Sequence, residues 1–434
     1  MSVTKSLEGK SILRVWTPMA LTWLMMSLEG LLIAAIVARL PDATVNLAAY
    51  GVAFAFALIW EAPVIMMLSA STALCRDRDA FTDLRRFTWV LNLLLTVLLA
   101  GWVLSPAYQP IAEGLMNLTP EVAELSRWAV LVFLPWPAAI GVRRFLQGVM
   151  IRHGQTRRLA YGTVIRLAVM GLASWTMAQF PIPGALIGAG ALSLAVVVEA
   201  LVTRLMAREA IASVLAPPRT SARLSTVQLL HFYVPLLVSS VIALAIHPLV
   251  NLLLGHSREA LASLATYPVV GALSFVFRSV GLSYQEVAIA FMDGTKRRYR
   301  ELWRFAVWLG VGASAAHGLI GLTPLGGVWF ASVGALTPPL VVISIPAYQL
   351  LTLMPLLSVF LAFFRALLVW SHRTRAITWA GAIETVAVLG ILGLLISPVN
   401  MIGVIAASWA VMVARLVDLV ALWAWCRGVV RKLT

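Results

Sequence analysis

Charge is scarce in this chain, and sulfur is scarcer. Only 12% of its 434 residues are Asp, Glu, Lys or Arg, and only two are cysteines. An ordinary soluble domain carries roughly 25% charged residues, so the shortage excludes any sizeable solvated domain. Two cysteines exclude a disulfide framework, and Cys75 and Cys426 both fall at helix ends expected on the reducing, cytoplasmic side, where disulfides are rare. Neither has the surroundings of a redox or metal site. The compact signatures of catalysis are missing too: there is no His-Glu-x-x-His run, no metal-spaced Cys/His set and no phosphate-binding Gly-Lys loop. These absences weigh against an enzyme and against an ATP-driven pump within the chain, and no metal or cofactor is expected. No small-residue cleavage site follows a short apolar core near the start, so the first helix reads as a retained span and not a signal peptide. Asn117-Leu118-Thr119 fits a glycosylation triplet, a pattern common by chance.

What the chain has is apolar length. It is 61% hydrophobic, and its apolar runs recur end to end at about 20 residues, enough to cross a hydrocarbon core of about 30 Å. The runs segment as 12–38, 46–74, 87–105, 125–151, 159–180 and 184–207, then 227–254, 261–292, 302–322, 346–370, 377–396 and 400–426. The expectation is an all-α, multi-pass membrane protein of twelve spans. The stretch 323–345 is apolar but rich in Gly and Pro, and reads as a re-entrant or surface segment.

The formal net charge of +15 could suggest a polynucleotide partner, but its placement points elsewhere. On this segmentation 24 of the 33 basic residues fall in one set of loops and tails, and the opposite loops hold only Arg39, Arg127 and Arg258. The positive-inside rule then puts both termini in the cytoplasm, which needs an even number of spans. A bacterial cytoplasmic membrane is the expected location. Basicity here is topology, and no nucleic-acid partner is expected.

Two stretches are near copies. Leu47-Ala48-Ala49-Tyr50-Gly51-Val52 matches Leu264-Ala265-Thr266-Tyr267-Pro268-Val269 at an offset of 217, which also sets Pro18 on Pro235 and Glu61 on Arg278. An offset of 218 sets Thr156-Arg157 on Thr374-Arg375 and Arg166 on Glu384. The longest polar connector includes Ala216-Pro217-Pro218-Arg219, so the chain divides into a six-helix lobe 1–208, a cytoplasmic linker 209–226 and a six-helix lobe 227–434. Six spans per lobe give both copies one orientation, with their axis along the membrane normal. Matched residues then lie at equal depth on either side of a central cleft. Prolines inside several runs, among them Pro18, Pro63, Pro135, Pro137, Pro235, Pro248, Pro268 and Pro355, free carbonyls and bend helices. Such kinks line cavities in some membrane proteins and are ordinary packing in others.

Twelve ionisable groups fall within the spans: Glu29, Glu61, Glu199, Glu286, Glu384 and Asp418, against Arg143, Arg144, Arg166, Arg278, Arg365 and Arg415. Each costs about 2.5–3.5 kcal/mol or more at mid-bilayer, so most must face the interior, a partner or water. Arg415 and Asp418, three apart, can satisfy each other. Arg143, Arg144 and Arg365 lie near inner helix ends, where they either snorkel or line the inner mouth. Glu199, alone on an apolar helix, reads as a pairing partner. Glu61 and Arg278 sit roughly 21 Å of helix from the nearest cytoplasmic end, beyond snorkelling. They read as a gate or substrate contact, or else as a static bridge, and Arg166 with Glu384 repeats the choice. Desolvated Glu29 is a candidate proton carrier, as is His247 in His247-Pro248-Leu249-Val250-Asn251, since imidazole switches near neutral pH. His317 reads as a core histidine. Two like halves with charges at matched depths are the pattern of a secondary transporter.

At these residues the sequence resembles the progressive ankylosis (ANK) family. The run Leu28-Glu29-Gly30 with Leu47-Ala48-Ala49-Tyr50-Gly51 is similar to that family's first two helices. His247-Pro248-Leu249-Val250-Asn251 and Ala265-Thr266-Tyr267-Pro268-Val269 resemble its second half. The resemblance implies the multidrug/oligosaccharidyl-lipid/polysaccharide (MOP) exporter fold, with two six-helix bundles around a cleft as in MATE transporters. It also implies alternating-access export of an anion such as citrate, malate, pyrophosphate or a nucleotide, with Glu29, Tyr50, Asn251 and Tyr267 at motif positions. Two features depart from the pattern: His247 stands where the animal proteins have arginine, and their long acidic tail is missing. The expected substrate contacts are Arg278, Arg143, Arg144, Asn251, Tyr50, Tyr267 and Arg166. The expected coupling and gating groups are Glu29, Glu61, His247 and Glu384, with H+ or Na+ as the coupling ion. The expected partners are a small anionic molecule and membrane lipid, and a monomer suffices. The alternatives are a cation-coupled multidrug exporter and a lipid-linked sugar flippase.

Overall fold

The computed structural model describes residues 9–75, 77–155, 157–216, 226–371, 373–431 and 433. No β-strand occurs among them. Eleven helices are long and apolar enough to cross a membrane, or twelve if Lys296–Gly321 and Leu325–Val333, bent by 74°, count as one span. The helices are α1 (Gly9–Val37), α2 (Ala43–Ile65), α3 (Met67–Leu74), α4 (Arg78–Leu104), α5 (Pro120–Val132), α6 (Trp136–Arg152), α7 (Arg157–Met177), α8 (Gly184–Met206) and α9 (Arg208–Leu215). The rest are α10 (Thr226–Gly255), α11 (Ala260–Phe291), α12 (Lys296–Gly321), α13 (Leu325–Val328), α14 (Pro338–Leu350), α15 (Met354–Trp370), α16 (Thr374–Ile396) and α17 (Gly403–Val430).

Two spans differ from the sequence reading. The runs expected at 125–151 and 346–370 begin earlier, as the half-helix pairs α5/α6 and α14/α15, spanning Pro120–Arg152 and Pro338–Trp370. Each pair starts with proline in its first turn, where a missing N–H costs nothing and the fixed φ suits a helix. Each breaks ahead of a second proline, Pro137 or Pro355. The second part of the segment 323–345 is α14, and its first part, Leu325–Val333, follows the 74° bend after α12 as a broken span or a re-entrant turn. The linker expected at 209–226 opens as helix α9, and residues 217–225 of it lie outside the described residues.

The loops before α5 and α14 are the same object built twice. Met116 N donates to Ile111 O at 2.9 Å and Gly334 N to Trp329 O at 2.8 Å, closing π-helical turns. Asn117 and Ala335 follow with φ of 52° and 51°. Leu118-Thr119-Pro120 and Leu336-Thr337-Pro338 then open the helices.

By compactness the chain forms one unit from Ile36–His256 and another from Met1–Ala35 with Ser257–Thr434. This grouping differs from the 1–208 and 227–434 halves, because α10 packs with the earlier residues and α1 with the later ones. The reason is local. In the first unit α2 stops at Met66, leaving carbonyls that no water could satisfy in a membrane. Hydroxyls of α10 take two of them, Ser240 Oγ donating to Ala62 O at 2.7 Å and Tyr233 Oη to Pro63 O. In the second unit Ile12 of α1 lies in a cluster with Tyr284, Val287, Phe364 and Leu422, and Trp16 Nε1 donates to Ser283 Oγ at 2.9 Å.

Helix α4 shows the inside-out pattern of a lipid-facing element. Leu93, Val90 and Val97 are 67%, 59% and 58% exposed, while Thr88 and Asn92 are buried. Asn92 donates to Ala138 O at 3.1 Å.

Close helix packing rests on small residues. A Cβ on Gly281 would stand 2.7 Å from the Ser358 carbonyl carbon of α15, whereas nothing lies within 4 Å of one on Gly271 of the same helix. Gly281→Val is expected to destabilise the detergent-solubilised protein by about 1–3 kcal/mol or more, read as a lower melting temperature, with Gly271→Val near wild type. A second expectation concerns the thiols. Cys75 and Cys426 are both buried, and burial pushes the Cys75 thiol up to about 12. At pH 7.5 its thiolate fraction then falls below about one part in ten thousand. An impermeant maleimide should leave the native protein unlabelled, and stoichiometric labelling at Cys75 would contradict the packing.

Candidate functional site

Each unit buries a set of charges where three consecutive spans meet. In the unit 36–256 the spans are those of α6, α7 and α8. Glu199 of α8 is fully buried, and its Oε2 accepts from Arg143 of α6 at 2.5 Å and pairs with Arg166 of α7 at 3.3 Å. Both arginines are 4% exposed, so Arg143 neither snorkels nor reaches a mouth. Gly162, one turn before Arg166, lets α7 approach; a Cβ there would sit 3.2 Å from Glu199 Oε1. That oxygen and Arg143 Nε are buried without a hydrogen bond. Arg144 lies within electrostatic range of Arg143, Glu61, Arg166 and Glu199, and its Nε is likewise buried and unbonded. Glu61 of α2 accepts from Trp136 Nε1 at 2.9 Å. Trp136 sits in an aromatic group with Phe133 and Phe54 at centroid distances of 5.6 and 6.4 Å, and Tyr50 stacks on Phe54 at 5.9 Å.

In the other unit the junction recurs on α15, α16 and α17 with one sign reversed. Arg365 of α15 donates to Asp418 Oδ2 of α17 at 2.8 Å, and the same nitrogen stands 3.8 Å from Glu384 Oε2 of α16. Glu384 Oε1 pairs with Arg415 Nε at 2.9 Å, in a geometry that is not a hydrogen bond. Where α7 carries Arg166, α16 carries Glu384, and Arg415 supplies the extra cation. The local Arg415–Asp418 pair expected from spacing is replaced by an ion pair from each residue to another helix. Arg278 of α11 is within electrostatic range of Arg415, Glu384, Tyr267 and Arg365. Its guanidinium carbon lies 6.0 Å from the Phe275 ring centroid, and its Nε is buried and unbonded.

Other expected site residues are distributed more widely. Asn251 of α10 is buried and donates to Gly51 O at 3.1 Å, so its amide holds α10 to α2. His247 and Glu29 are half-buried, on α10 and α1. Glu286 is exposed. His317 is fully buried and stacks on Tyr348 at 3.9 Å, as a core histidine does. Trp136 was missed in the sequence, although its place between Pro135 and Pro137, at the break of a span, marks an indole that needs an acceptor. No cluster of three or more metal-ligating side chains occurs among the described residues.

No family model matches the sequence, and no curated protein matches it. Solved structures do. An inward-facing multidrug resistance MATE transporter of the MOP superfamily superposes with a TM-score of 0.74 at 14% identity, covering 97% of this chain and 98% of that one. The fold is that of the MATE transporters. The lipid II flippase MurJ, in an inward closed conformation, gives a TM-score of 0.75 at 14% identity over 95% of this chain and 87% of its own. A MOP-superfamily transporter from Pyrococcus furiosus Vc1, described as having a binding pocket of reverse polarity, gives 0.64 at 16% identity, covering 100% of this chain and 99% of that one.

Removing one partner of a buried ion pair strands the other and costs about 3–5 kcal/mol. Glu199→Ala strands two arginines and is expected to lose most of its folded yield in detergent. Glu199→Gln, which keeps an acceptor, should retain more. Equal yields of both with wild type would show that the junction contributes no stability.

Proposed function

We propose that the protein is a secondary active transporter working by alternating access, and that it exports a small organic or phosphate-bearing anion. The observation that carries the anionic class is Arg144 inside the unit 36–256. Its Nε is buried without a hydrogen bond, and it stands beside Arg143 and Arg166, whose guanidinium groups share Glu199. Such charges in a low-dielectric interior mark substrate or ion pathways. Arg144 and Arg278 are the arginines best suited to an anion, since neither forms an ion pair among the described residues. The ANK-like motifs point to the same class, and the reversed pocket polarity of the Pyrococcus protein shows that this fold accommodates more than one binding polarity. Glu29 and His247 remain the candidates for proton coupling, and Glu61, Arg278, Arg166 and Glu384 for gating. Both termini are placed in the cytoplasm by the positive-inside rule.

One observation favours a second reading. Tyr50, Phe54, Phe133 and Trp136 gather beside the Glu61 carboxylate, and an aromatic group with an acid suits a lipophilic cation. That arrangement fits multidrug export.

The test is uptake of labelled citrate, malate, pyrophosphate and ATP into proteoliposomes, with and without a pH gradient, beside a lipophilic cation. Because Arg144 and Arg278 leave no paired carboxylate behind, Arg144→Ala and Arg278→Ala should stay folded and lose anion flux by at least about tenfold. Normal anion flux in both would remove these roles. Cation flux lost in Glu61→Gln, with no anion flux, would select the second reading.

A further inference from the structure

Away from the buried charges, the unit 36–256 carries a cavity of about 420 Å³ at the basic ends of its helices, lined by α4, α6, α8 and α9. Its walls are apolar and aromatic, including Phe145, Ile211 and Trp89, and Trp89 and Leu205 stand 55% and 54% exposed at its edge. Three arginines also line it: Arg85, Arg204 and Arg208. Arg204 and Arg208 are four apart across the α8–α9 join, and so share a face. Arg85 lies over the Phe81 ring at 5.6 Å. Ion pairs of this unit include Arg143–Glu199, Arg166–Glu199 and Arg158–Glu209. Arg85, Arg204 and Arg208 form no ion pair among the described residues, and the neighbouring Glu209 is held by Arg158.

We propose that this cavity binds one anionic phospholipid. The arginines receive the headgroup phosphate, and the apolar floor and exposed Trp89 side receive the first part of an acyl chain. Charge complementarity selects the ligand: uncompensated guanidinium groups seek a phosphate, while the walls exclude a wholly hydrated ion. The placement agrees, because basic residues at an inner membrane surface attract anionic lipid and tryptophan settles at the headgroup level. The proposal is independent of what the protein transports.

The experiment is native mass spectrometry of the full chain released from detergent, supplied with phosphatidylglycerol, with phosphatidylcholine, or with inorganic phosphate alone. One phosphatidylglycerol is expected to be retained and phosphatidylcholine is not. Arginine near an anionic surface contributes enough that each removal should weaken retention by about fivefold. The triple variant Arg85→Gln/Arg204→Gln/Arg208→Gln is therefore expected to lose it. Ala212→Phe keeps the charges but fills the cavity lining, and should lose it as well, which carries the test should the triple variant fold poorly. Retention of phosphatidylglycerol by Ala212→Phe, equal retention of phosphatidylcholine, or displacement of the lipid by inorganic phosphate would each overturn the proposal.

Discussion

The structure depends on one constraint: in the middle of a membrane, a charge must be answered by protein. Glu199 meets it by drawing two arginines from two neighbouring helices onto a single oxygen. In doing so it fixes the mutual rotation of α6, α7 and α8, because a helix carrying a buried arginine has few rotations that keep the bond. A buried pair of this kind is weak evidence for stability, since its Coulomb gain barely exceeds the desolvation of both partners. Its value here is specificity of packing. Apolar helices in lipid have no hydrophobic drive to choose one face over another, and the charge network makes that choice.

The second unit meets the same constraint with a different residue list. Glu384 replaces the cation of α7, Asp418 takes the place of Glu199, and Arg415 restores the balance. What the two units keep in common is the three-helix junction and not its polarity. The loops ahead of α5 and α14 show the same economy, with left-handed residues Asn117 and Ala335 at matched places ahead of a shared Leu-Thr-Pro. An internal repeat in this chain is therefore conserved as geometry, and its chemistry has diverged within one polypeptide.

The sequence made the spans legible where apolar runs are long and uninterrupted, as in α4, α7 and α8. It misplaced α14, because prolines at 338, 339 and 346 in a Gly-rich neighbourhood read as a loop. Proline in a first turn starts a helix, and the Leu-Thr-Pro shared by 118–120 and 336–338 was the available clue. Which residues are charged inside the membrane was also plain, and Glu199 as a pairing partner was right. Partner identity was not legible for Arg415 and Asp418. Their spacing allows a local bond, but each finds an oppositely charged group on another helix, and only the fold brings α15, α16 and α17 together. Nor was it legible that the amide of Asn251 also ties α10 to α2.

The grouping of residues 1–35 with 257–434 bears on how the protein is made. A ribosome completes the contiguous unit 36–256 before any residue of the second half emerges, and domains fold in order of synthesis. Helix α1 leaves ahead of that unit, yet the side chains around Ile12 and the hydroxyl for Trp16 belong to α11, α15 and α17. It must wait in the bilayer, surrounded by lipid, until nearly the whole chain has been inserted. A helix made before the unit 36–256 thus completes its packing after it.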